Sequence, residues 1–182
     1  MDIYFISSNK YKIEEVTKFF NGSLINIIPY KEDIKELQSD DIDEIVFDKL
    51  IKAFKIVRRP LFVEHTGLYI NELNGFPGGL TQVFWDSILA DKFCFYFKNY
   101  SVTAKTVIVY CDGKSTKKFE GEINGKIVES PRGDRSFQWD CVFEPVGSNN
   151  TFAEMDDDKC KISMRTKALE KLKKHLEANN DE

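Results

Sequence analysis

Ile3-Tyr4-Phe5-Ile6-Ser7-Ser8-Asn9-Lys10-Tyr11-Lys12 stands near the start of the chain, and its reading sets the fold. The first four residues are apolar and β-favouring, which predicts a short buried strand. Ser8 or Asn9 can cap a following helix, whose apolar face is Ile13, Val16, Phe19 and Phe20. Asn21-Gly22 ends that helix, and Leu24 to Ile28 supplies a second strand. A β-α-β opening predicts a parallel pair joined by a right-handed crossover. It also leaves helix-start amides and lysines where they can receive phosphate.

Working outward, acids crowd the first turn of a second helix from Asp41, with Val46, Leu50, Ala53, Phe54 and Val57 at helical spacing. Lys52, Lys55, Arg58 and Arg59 gather at its end and Pro60 stops it, so both termini complement the helix dipole. Leu61-Phe62-Val63 reads as a third strand running into Glu64-His65-Thr66-Gly67, and Asn74-Gly75-Phe76-Pro77-Gly78-Gly79 as a tight loop. A helix is expected from Thr81 to Lys98, its aromatics serving the core or a subunit interface. Thr103 to Tyr110 alternates as a strand and Lys117 to Ile123 less cleanly, with Asp112-Gly113 making a hairpin between them. Ile162 to Leu176 is expected to close the chain as a helix, with a frayed polar tail after Ala178. The fold class is α/β.

A length of 182 residues suits one domain, or one domain with two lobes. A charged fraction of 31% with 13% aromatics excludes a disordered chain. The net charge of −4 excludes nonspecific attraction to nucleic acid or to an anionic membrane, so a polyanionic ligand needs a local basic pocket or a metal. Cys94, Cys111, Cys141 and Cys160 lack paired metal-type spacing, which argues against zinc. With no signal-like or membrane-length apolar run, the expectation is a cytoplasmic protein with reduced thiols. Pro131-Arg132-Gly133 and Phe137-Gln138-Trp139-Asp140 place two aromatics beside an acid, a place for a flat aromatic ligand. A stacking patch plus a phosphate cradle reads as a nucleotide site.

Seven strings in order carry a resemblance: Ser7 to Lys12, Val63-Glu64-His65-Thr66-Gly67, Gly75-Phe76-Pro77-Gly78, Pro131-Arg132-Gly133, Phe137 to Phe143, Thr151-Phe152-Ala153-Glu154-Met155 and Ser163-Met164-Arg165. Over nearly its whole length the chain resembles the inosine triphosphate pyrophosphatase family, closest in flavour to its eukaryotic branch. The resemblance implies a long twisted mixed sheet with helices in two lobes and a central cleft, residues 1–182 forming one two-lobed domain, and a homodimer. It implies hydrolysis of non-canonical purine nucleoside triphosphates (of inosine, deoxyinosine or xanthosine) to monophosphate and pyrophosphate, with Mg²⁺ as cofactor and Mn²⁺ as the alternative. Carried over, Ser7, Asn9, Lys12, Lys49 and Thr66 hold the substrate. Glu36, Glu64 and His65 fall at the metal positions, and His65, Glu64 and Lys12 at the catalytic ones. Phe137 and Trp139 either flank the purine or belong to the core, while Asp140, Lys159 and Arg165 read base edges or phosphate. A 6-keto purine presents an acceptor where adenine has a donor, so a site of fixed donors such as Arg165 rejects adenine by leaving groups unpaired.

The sequence departs from that pattern at His65, where the family has a second acid before the Thr. Mg²⁺ is hard and prefers oxygen, so a neutral imidazole weakens the site, although it suits general-base work near neutral pH or a structural bond to a carbonyl. Met164 replaces a histidine that would donate to the base, a loss of about 1–3 kcal/mol of discrimination. Gln82, Gln138 and Cys141 stand in place of Lys, Gly and Pro. Two readings stay open: an enzyme with an altered arrangement, and a nucleotide-binding relative that has lost turnover. A third, a pyrophosphatase for modified pyrimidine nucleotides, fits the aromatic strings less well.

Overall fold

The apolar run at the start forms strand β1 (Asp2–Ile6) and Asn9 caps helix α1 (Lys10–Phe20), its Oδ1 accepting from the amides of Tyr11 and Lys12 at 3.0 and 3.2 Å. Strand β2 (Asn26–Tyr30) pairs parallel to β1, completing the expected β-α-β unit two residues later than its apolar pattern suggests. β2 is an edge strand, which is why it tolerates Pro29. The computed structural model describes residues 1–178; the tail expected to fray after Ala178 lies outside the described residues.

Next come α2 (Ile42–Val57), β3 (Leu61–Ile70), the short β4 (Pro77–Gly78), α3 (Thr81–Phe97), the hairpin β5 (Ser101–Cys111) and β6 (Thr116–Ile127), β7 (Phe143–Pro145), and helices α4 (Lys159–Ile162) and α5 (Met164–Ala178). Among the described residues seven strands form one mixed sheet in the order β2-β1-β3-β5-β6-β7, with β4 beside β3. β1 and β3 run parallel, while β3, β5, β6 and β7 are antiparallel neighbours.

Strand alternation sorts β3 between two layers. Leu61 and Val63 join Val46, Leu50 and Ala53 under α2. Phe62, on the other face, joins Val16, Ala168, Leu169 and Leu172 under α1 and α5. Farther along that second face, Leu68 and Ile70 pack with Trp85, Phe93, Trp139, Phe143 and Phe152. Each large side chain buried this way contributes about 1.5–3 kcal/mol. Glu64 lies on the same face between these two apolar clusters, and His65 faces α2. Gly121 lets α5 sit directly on β6, for a Cβ there would meet the Met164 carbonyl at 2.0 Å.

Three expectations need correction. The helix over Thr81–Lys98 is broken at Leu89, whose backbone turns to φ 62°, ψ 172°. The closing helix starts at Met164, two residues later than expected, because Ser163 is extended and its Oγ accepts from the Thr166 amide at 3.2 Å, capping α5 and separating it from the short α4. β3 does not end near Glu64 but runs on through Gly67 to Ile70; a side chain on Gly67 would strike the Gly78 carbonyl at 2.4 Å, so glycine is what lets β4 approach. No described helix is long and apolar enough to cross a membrane.

Candidate functional site

β1 stops at Ile6 while β3 continues past its last partner, Phe62, so Glu64 and His65 emerge beside the loop that starts α1. A cavity of about 310 Å³ opens there, lined by Ser7, Asn9, Lys12, Glu36, Lys49, His65 and Thr66 among others. It lies off the carboxyl ends of parallel strands, the usual ligand position in such sheets. Ser7 Oγ accepts from the Asn9 amide at 3.2 Å, and Asn9 in turn caps α1, so both shape the cradle at the helix start. Thr66 shares its hydroxyl hydrogen bond with Thr106 at 2.7 Å.

Lys49, nearly buried on α2, places Nζ 2.5 Å from Glu36 Oε1 and 3.3 Å from the Glu64 carbonyl. His65 donates from Nε2 to the Gly79 carbonyl at 3.0 Å, and its Nδ1 lies 3.4 Å from Glu36 Oε2. Burial pushes the Glu36 carboxyl up, but the hydrogen bond with His65 and the charge of Lys49 outweigh it and hold the group well below the usual carboxylate range.

The Glu64 side chain points the other way. Arg165 Nε lies 2.7 Å from its Oε2, Arg165 Nη2 3.3 Å from its Oε1, and Lys12 Nζ 2.8 Å from Oε1. Burial raises the Glu64 carboxyl; Arg165 and Lys12 together pull it far below its ordinary value. Burial likewise lowers the Lys12 ammonium, with Glu64 opposing. Arg165 also pairs with Glu15, which reaches Lys159 at 2.6 Å, and Lys159 reaches Asp140 Oδ2 at 2.5 Å. The result is a row of alternating charges: Lys12, Glu64, Arg165, Glu15, Lys159, Asp140. At its far end burial dominates, and Asp140 is pushed up to about 6 although Lys159 opposes.

Phe137 sits at the edge of this row, stacked on Tyr11 with ring centroids 5.0 Å apart and with Lys159 Nζ 4.3 Å from its own centroid. Trp139 is 3% exposed and packs against Phe143 and Phe152 in the core. Met164 and Cys141 are core residues too. Gln138, at φ 45°, donates to Gln82 across the cavity mouth.

The three residues at the family's metal positions do not assemble. Glu64 and His65 are consecutive on a strand and face opposite layers, leaving Glu36 beside His65 alone, and no group of three His, Cys, Asp or Glu side chains among the described residues is placed to hold a metal ion. His65 Nε2 carries the proton it gives Gly79, so that nitrogen has no lone pair for a metal or for a water proton. These three positions therefore form no protein cage for Mg²⁺; of them Glu36 alone presents a carboxylate to the cavity, whose lining also carries Glu32 and Asp33. Sequence reasoning missed Glu15 and Tyr11. Glu15 lies one helical turn beyond Lys12, and that spacing was the available signal; alone, a helix glutamate reads as a surface residue.

Fold and cavity together define an α/β protein with a lysine-lined cavity at a helix start. The chain belongs to the Ham1 family, whose model matches residues 3–175. It is 39% identical to the inosine triphosphate pyrophosphatase of Kluyveromyces lactis, over 96% of this chain and 95% of that one. It is 36% identical to the dITP/XTP pyrophosphatase of Methanopyrus kandleri, over 94% of each. The structure of a HAM1 protein from Coxiella burnetii superposes with a TM-score of 0.80 at 24% identity, over 98% of this chain and 99% of that one, a likeness of fold. The resemblance read from the seven strings therefore holds.

Proposed function

We propose that this chain hydrolyses non-canonical purine nucleoside triphosphates, those of inosine, deoxyinosine and xanthosine, to the monophosphate and pyrophosphate. Relatives bearing those names at 31–39% identity across nearly the whole chain support the activity. The observation that carries it is the meeting of Lys12 and Lys49 with the capped start of α1 and with Glu36 on one cavity. The triphosphate lies on that cradle, where Lys12 and Lys49 turn from their carboxylates to its oxygens and take up the developing charge. Water bonds through its oxygen to one phosphorus as the bridging P–O bond of the anhydride breaks. Its proton is carried off by the water of the open cavity, and pyrophosphate departs.

At the other end the purine takes the ring face of Phe137 that Tyr11 covers, with Lys159 and Arg165, fixed by Asp140, Glu15 and Glu64, as donors to a 6-keto group. The divalent ion implied by resemblance finds no assembled ligand set at Glu36, Glu64 and His65, and no step is routed through it. The unit is a two-lobed domain acting as a homodimer, which the exposed Phe95 and Tyr96 on α3 favour. Four free cysteines suit the cytoplasm.

The test is pyrophosphate release by the purified chain from inosine triphosphate and from ATP, each with Mg²⁺, Mn²⁺ or EDTA. Release is expected to be faster from inosine triphosphate. No release above a Lys12→Ala control in any condition rejects catalysis. Tight binding without release would instead select the silent relative, a reading favoured by the engagement of His65 Nε2 with Gly79.

A further inference from the structure

The two carboxylates beside the cradle are each held from two sides. Glu64 keeps Arg165 on both oxygens while Lys12 shares Oε1. Glu36 has Lys49 on one oxygen and His65 facing the other. In each pair the lysine is therefore the partner that can leave: when Lys12 swings to a phosphate, Glu64 still has Arg165, and when Lys49 swings, Glu36, 30% exposed, still has solvent. Neither departure strands a buried carboxylate, which is the event that makes breaking such pairs costly.

A divalent ion entering here faces the opposite situation. To use Glu64 it must approach between Lys12 and Arg165 and draw a carboxylate that is 2% exposed out of a two-point guanidinium contact. To use His65 it must take Nδ1 from beside Glu36, since Nε2 is spent on Gly79. Resting on the reading of the cavity as a triphosphate site, we propose that Lys12 and Lys49 are the counter-ions of the polyphosphate, so that this chain binds its nucleotide without a protein-held divalent ion.

The experiment has two arms on the intact wild-type chain. In the first, inosine triphosphate is titrated calorimetrically in EDTA and in excess Mg²⁺. The affinity in EDTA is expected to equal or exceed that in Mg²⁺; a gain of about tenfold or more on adding Mg²⁺ overturns the proposal. In the second, Mn²⁺ alone is added to excess protein and followed by electron paramagnetic resonance. The free-ion spectrum is expected to persist, and bound Mn²⁺ that disappears in Glu36→Gln overturns the proposal. His65→Asp, which supplies a second oxygen ligand beside Glu36, is expected to gain Mn²⁺ binding; the wild-type arms stand if that variant does not fold. Nucleotide bound only with Mg²⁺ defeats this inference and leaves the triphosphate site standing, whereas no nucleotide bound in either condition defeats both.

Discussion

Glu64 and His65 are consecutive residues of β3, yet they serve two different charge systems. Glu64 faces α1 and α5 and belongs to a largely buried row of paired charges between two apolar clusters, whose first member, Lys12, also lines the cavity. His65 faces α2 and, with Glu36 and Lys49, lines an open cavity. The period of a strand, two residues, is enough to send one side chain into a buried network anchored by Arg165 and the next to the wall of an open cavity. Burial separates the two energetically. Breaking the first strands charges in a low-dielectric interior, and opening the second exchanges protein partners for water or phosphate.

The largest expected effect lies in the closed row. Arg165→Met leaves Glu64 and Glu15 facing each other without their shared cation, and should destabilise the fold by about 3–5 kcal/mol in urea denaturation. A change below about 1 kcal/mol would erase the contrast with the cavity side.

The row has its own pH signature. Asp140 has its carboxyl raised to about 6 by burial, so its neutral form is favoured by folding. That contribution is fully present below the ordinary Asp value near 4 and is lost as pH rises through about 6. Asp140→Asn, which keeps the shape and removes the ionisation, should therefore gain stability relative to wild type between about pH 4 and 7, by on the order of 3 kcal/mol. A constant difference across that range would mean that Lys159 fully compensates the buried charge.

The smallest effect belongs to the cavity. Glu36 is about one-third exposed, and Glu36→Gln leaves Lys49 with the Glu64 carbonyl, so the loss of stability should stay below about 1 kcal/mol. A loss as large as that of Arg165→Met would show that this side is closed as well.

Much of this frame was legible in the chain. The apolar run before Ser7, the cap at Asn9 and the periodic face of α2 gave the β-α-β start and the cradle, because they are local patterns. Strand β6 was read too short, since it shows one side to solvent and carries Asn124-Gly125, whose glycine is needed against Phe143. The break at Leu89 and the division at Ser163 depend on tertiary packing and on a capping bond. Ser7, Asn9, Lys12, His65 and Thr66, which line the cavity, all stand in strings that mark them. Glu15 escaped because its partners, Arg165 and Lys159, lie at the other end of the chain, and Trp139 could be assigned to the core only once Phe152 was seen beside it.

The most direct measurement is a pair of double-mutant cycles on unfolding free energy, one between Glu64 and Arg165 and one between His65 and Arg165. Two separate charge systems predict a coupling above about 2 kcal/mol for the first pair and within about 0.5 kcal/mol of zero for the second. Comparable couplings in both cycles would contradict the division of β3 into a closed row and an open cavity.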